Sequence, residues 1–176
     1  MAEPWLRGTL MELDPLRRGL VHSLQMASED VARWCALLSD AEMEARPFGL
    51  PSVGFQMRHI VGSLDRLLTY AEGRQLNEEQ MAALAAETVE GKSRESSIAE
   101  LDGAMHLVED RVMAFSPGSY AEARGVGRKM LPTTVGGLLL HCAEHTQRHV
   151  GQLVTTAKVV MGVGRSGYVN TLLTES

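Results

Sequence analysis

A chain of 176 residues with 44% hydrophobic and 22% charged side chains has the composition of one globular domain, long enough to bury a substantial core. Its formal net charge is −5 and its basic residues fall in scattered short pairs such as Arg17-Arg18, which argues against a nucleic-acid partner, since those need a basic stripe. No run approaches the roughly 18 apolar residues of a membrane span, and Met-Ala-Glu-Pro-Trp at the start lacks the basic flank and apolar run of a signal peptide, so the expectation is a cytoplasmic protein without a membrane partner.

The first helix is expected from about Asp14 to Leu38, with Asp14 as N-cap and Pro15 at the first helical position. Leu16, Leu20, Leu24, Ala27, Val31, Trp34 and Leu38 recur there at spacings of three and four. Cys35 and Cys142 both sit in amphipathic patterns and read as small buried hydrophobes, not as a disulfide. After a turn at residues 46–51, Ser52 caps a second helix that carries Met57, Ile60, Leu64 and Leu68 and stops near Gly73. The long link that follows, Gly73 to Ser96, contains a short helix from Asn77 to about Thr88. A link of that length lets the third helix lie parallel or diagonal to the second.

Ser97-Ile-Ala-Glu100 has capping-box spacing and is expected to open the third helix, which Ser116-Pro117-Gly118 stops. Ser119 to Pro132 reads as irregular, and no strand pattern is convincing. The fourth helix starts at Thr133 or Thr134 and runs to about Met161, leaving 162–176 as a flexible tail. Four amphipathic helices joined by one long link give an all-α chain, a four-helix bundle forming a single domain over residues 1–176. An exposed stripe on the first or third helix would suit a homodimer.

Three of the six histidines, His141, His145 and His149, repeat every fourth residue in the fourth helix. Side chains four apart lie one turn apart on the same face, so two such imidazoles can reach one ion, whereas a third, two turns away, needs a distorted helix. His145 and His149 are favoured because Gly151 allows close approach and Gln152 can orient a ligand or a bound water. His141 is then a neighbour of the site or a core residue. His59 is the best donor from another helix, since it sits at the flank of its own apolar stripe, as the fourth-helix histidines do. His22 is alone in its helix, and His106, between Met105 and Leu107, reads as an interior or boundary residue. Glu follows neither His141 nor His145, so the H-E-x-x-H motif of zinc proteases is absent.

Ser52-Val-Gly-Phe-Gln-Met-Arg-His59-Ile-Val-Gly resembles the second-helix signature of the DinB-like superfamily, and Leu138-Leu-Leu-His-Cys-Ala-Glu-His145-Thr-Gln-Arg-His149-Val-Gly-Gln152 resembles its fourth-helix signature. The order of the elements and the long link also match, so the resemblance covers all but the tail. It implies an up-down-down-up bundle and a site for a divalent metal ion, zinc or nickel by preference, held by His59, His145 and His149. Known activities in the superfamily include transfer of low-molecular-weight thiols to electrophiles, which implies a small-molecule substrate and a thiol cosubstrate. A branch with H-x-x-x-H-x-E is disfavoured, because Gly151 stands where that Glu would be.

A metal held by three neutral imidazoles keeps positions open, and a thiol bound there ionises at neutral pH without a dedicated base. Bound water used in the same way gives the alternative of a metal-dependent hydrolase, and a metal- or small-ligand-binding module without catalysis is a third reading. No catalytic acid or base can be named from the residues, and Glu144 is expected at the surface. Phe55, Ser63, His141 and Gln152 are the expected neighbours of the site.

Overall fold

The computed structural model describes residues 2–89 and 91–164. Six α-helices lie within them: α1 (Pro15–Cys35), α2 (Asp40–Met43), α3 (Val53–Ala71), α4 (Glu78–Ala86), α5 (Arg94–Met113) and α6 (Val135–Gly164). Two strands, β1 (Ala123–Val126) and β2 (Leu131–Thr134), form an antiparallel hairpin before α6. None of the described helices is long and apolar enough to cross a membrane.

Local chemistry sets the helix starts. The Asp14 carboxylate accepts from the backbone N–H of Leu16 and Arg17, and Pro15 gives up no hydrogen bond at the first position. Ser52 accepts from Phe55 N at the head of α3, and Thr134 Oγ1 accepts from Gly137 N at the head of α6. Asn77 and Gln80 close a reciprocal capping box on α4. At the end of α3 the chain turns through Gly73, whose φ of +80° only glycine adopts without strain.

Three expectations are corrected. α5 begins a turn early, because Ser93 caps it by accepting from Ser96 N, and Ser97 is buried inside the helix. Part of the stretch expected to be irregular is the hairpin, in register from Ala123↔Thr134 to Val126↔Leu131. Its four-residue strands are too short for alternation to be visible, and Arg124 Nε ties it to the end of α3 through Ala71 O at 2.7 Å. α6 continues to Gly164, past the expected end at Met161; the rest of the tail expectation, 165–176, lies outside the described residues.

α1 packs on α5 and α6, and α3 packs on the same two helices, so the four long helices close a ring around one core. Its centre holds Leu20, Leu24, Met57, Ile60, Leu64, Leu101, Leu139 and Leu153, each about 1% exposed or less. Burying each such side chain contributes roughly 1.5–3 kcal/mol. Cys35 and Cys142 are free and buried among them. Polar and apolar contacts fix the pairings at both ends. Leu16 lies beside Gly136, Gln147 donates to Ser23 O, and the Lys158 ammonium sits over the Trp34 ring. Thr156 reaches Pro51 O, while Leu138 packs with Tyr70 and Ala71. Arg17 reaches Met113 O, Arg94 reaches Leu38 O, and Arg111 pairs with Asp65 and Glu72.

Candidate metal centre

α3 and α6 meet along flanks that carry histidines. The ring of His59 lies 4.4 Å from that of His149 and 5.1 Å from that of His145, and the last two are 4.3 Å apart, centroid to centroid. One nitrogen from each lies within 4.8 Å of the others, and all three residues are half-buried. The cluster is compatible with a divalent metal ion. His141 stays outside this group, with its ring 5.6 Å edge-on from that of His145.

Two of the imidazoles are held in one tautomer by side chains behind them. His59 Nδ1 lies 2.7 Å from the Glu87 carboxylate, which can only accept, so Nδ1 carries the proton and Nε2 keeps its lone pair. His149 Nδ1 donates to Gln56 Oε1 at 2.7 Å, and the Gln56 amide in turn donates to Gln152 Oε1 at 3.0 Å. That relay fixes the Gln56 amide oxygen toward His149 and frees the His149 Nε2 lone pair. Gln152 is thereby linked to His149 through Gln56. Phe55 stacks on the back of His59, with centroids 5.6 Å apart, and Ser63 Oγ lies 3.4 Å from His59 Nε2.

Burial favours the neutral form of two of the rings, His145 and His149. Burial, then the neighbouring His149, His59 and His141 rings, pushes the His145 pKa from 6.5 down to about 4. Burial and His59 lower His149 as well, against the opposing pull of Glu87. A histidine depressed in the folded state contributes stability above the unfolded-state pKa near 6.5, and that contribution is lost as pH falls toward about 4. Urea titrations of the metal-free protein at pH 7.5 and pH 5 are expected to show this loss, and His145→Phe should flatten it. An unchanged slope in that variant would remove His145 as its source.

Glu87 and Gln56 went unmarked in the sequence. Gln56, 1% exposed, interrupts the apolar run between Val53 and Met57, and a buried amide in such a run is a usable signal. Glu87 gave none. It caps α4, none of whose residues is buried, yet it is itself 6% exposed beneath α3. Arg66 holds its other oxygen at 2.6 Å, and Arg58 Nε holds its backbone carbonyl at 2.9 Å.

Gly62 makes room for this arrangement. A Cβ there would stand 2.4 Å from Glu87 Oε1 and 2.7 Å from the Arg66 guanidinium. Gly62→Ala is expected to strengthen α3 locally by about 1 kcal/mol while pushing the carboxylate off His59. Ion affinity should drop roughly tenfold, measured by competition with a chromophoric chelator; wild-type affinity would show that the Glu87 contact is dispensable. Gly54 repeats the device about two turns earlier, under Glu44 and Arg58. Gly151, by contrast, is exposed and has nothing near it, so the close approach expected there is not made.

A cleft of roughly 250 Å³ adjoins the cluster, with His141, His145, Ser63 and Arg66 on its polar side. A larger groove of about 500 Å³ between α1 and α5 is lined by no histidine, so donor chemistry and not size locates the site. His22 is buried near Thr9, and His106, expected at an interior or boundary position, is exposed beside Asp102. Glu144 is exposed, 3.6 Å from His141.

Comparison with curated proteins finds no match. A family model described as the DinB superfamily matches residues 23–153, a span that includes His59, His145 and His149 together with Gln56 and Glu87.

Proposed function

The chain belongs to the DinB superfamily, and from that membership we propose that it is a divalent-metal-dependent enzyme that activates a low-molecular-weight thiol, whose sulfur bonds to an electrophile as the electrophile's leaving group departs. The observation that carries this reading is the convergence of His59, His145 and His149, two of them held from behind at Nδ1 by Glu87 and Gln56. The four long helices are read as an up-down-down-up bundle. The contacts of Leu16 with Gly136 and of Trp34 with Lys158 support parallel α1 and α6, and those of Arg17 with Met113 O and Arg94 with Leu38 O support antiparallel α1 and α5.

The donor set fits a borderline ion such as zinc or nickel, because three imidazoles supply nitrogen ligands and no hard oxygen cage surrounds them among the described residues. When bound, such an ion supplies the positive charge that ionises a coordinated thiol near neutral pH. The chain's own residues do the rest. Glu87 and Gln56 keep two rings in position, burial disfavours protonation of His145 and His149, and the adjoining cleft admits a substrate. The sulfur must come from outside the chain. Cys35 and Cys142 are buried, and burial raises both thiols to about 12.

The test is elemental analysis of protein purified without an affinity tag, followed by assays in the metal found. Loss of free thiol in the presence of an electrophilic aryl halide, dependent on the ion, is the expected result. Ester hydrolysis without thiol consumption would replace this reading by a hydrolase. Metal uptake without turnover of either kind would leave a binding module.

A further inference from the structure

The cleft beside the histidines has walls of a different character from its polar side. Leu67 and Tyr70 come from α3, Leu76 from the link and Leu84 from α4. Among the described residues the one full cation on the cleft, Arg66, is already engaged, with Nη1 on Glu87 at 2.6 Å and Nη2 on Ser63 Oγ at 3.0 Å. A charged ligand body would therefore lose water and meet no unengaged full charge, whereas an apolar body exchanges water for four hydrocarbon or aromatic faces. The volume, about 250 Å³, falls below the range of roughly 300–1,000 Å³ typical of drug-sized ligands and suits one ring or a short chain.

We propose that this cleft selects the thiol, and that the thiol is a small uncharged molecule with an apolar body, of the type of phenylmethanethiol. The body lies among Leu67, Tyr70, Leu76 and Leu84 and the sulfur lies toward His145. On binding, the S–H bond ionises and its proton passes to solvent. The sulfur end rests on the function proposed above; the apolar end rests on the cleft alone. Leu84 is the informative position, because it is 38% exposed and its replacement need not disturb the core.

The full chain loaded with Co²⁺ is titrated with phenylmethanethiol, 2-sulfanylethanol and 2-sulfanylethanesulfonate, following the near-ultraviolet thiolate–cobalt band. Phenylmethanethiol should bind at least about tenfold more tightly than either of the others, a difference of about 1.4 kcal/mol. Leu84→Gln should reduce that preference to below about threefold at an unchanged cobalt affinity. Equal binding of the three thiols, or a preference that survives Leu84→Gln in a variant with wild-type circular dichroism, overturns the proposal. If the wild type takes up no cobalt, the functional reading fails, and the cleft is then tested in the metal-free chain with benzyl alcohol. Amide shifts centred on Leu67, Tyr70, Leu76 and Leu84 sustain the apolar site, and shifts elsewhere or none overturn it.

Discussion

His145→Ala is expected to weaken zinc or nickel binding by more than about 100-fold while leaving the helical fold intact. The ring stands between those of His59 and His149 on one side and that of His141 on the other, so its loss leaves two donors with no substitute in reach. His141 does not replace it, because it sits a full turn back and outside the group of converging nitrogens. The fold survives because His145 faces the cleft, where water can fill the space of the missing ring. Competition against a chromophoric chelator gives the affinity, and circular dichroism with urea titration gives the stability. Wild-type affinity in this variant would dismantle the proposed site.

The second large effect is expected at Glu87. Its two oxygens serve two donors, His59 Nδ1 on one and Arg66 Nη1 on the other. An amide has a single acceptor. In Glu87→Gln the oxygen faces Arg66, the stronger donor, and the NH2 group meets His59 Nδ1. That ring must then carry its proton on Nε2, the nitrogen turned to the ion, so affinity falls by roughly 10- to 100-fold. Arg66, only 12% exposed at its side chain, also loses its counter-charge, and the protein is destabilised by about 1–3 kcal/mol. Glu87→Gln/Arg66→Met separates the two consequences. With no guanidinium to serve, the amide oxygen can turn to His59 and restore most of the affinity. A purely structural role for Glu87 would leave the double variant as weak in metal binding as the single one.

How much of this was legible in the residues follows from the range of the signals. Caps act over three or four residues, so Asp14, Ser52, Asn77 and the Thr134 region could be read directly. The start of α5 is not legible in the residues, because Ser93 and Ser97 both precede helix-compatible residues and only packing decides that Ser97 is buried within the helix. Fourfold spacing limits the fourth-helix donors to neighbouring pairs, and the meeting of α3 with α6 selects His145 and His149 to face His59. Glu87 arrives from the link, where periodicity carries no information about tertiary neighbours, and its partners Arg58, His59 and Arg66 are 21 to 29 positions away in the chain.

The link that delivers Glu87 carries α4, which among the described residues is the one α-helix with no buried residue. Its docking depends on a handful of polar tethers, among them Gln80 to Asp65 and Thr69, and Glu87 to His59 and Arg66. Occupancy at His59 and closure of this segment are thus thermodynamically reciprocal: whatever steadies the ring from the front steadies the segment from behind. Hydrogen–deuterium exchange at residues 78–86 would then serve as a remote gauge of ligation, slowing when the ion enters and quickening when a chelator withdraws it.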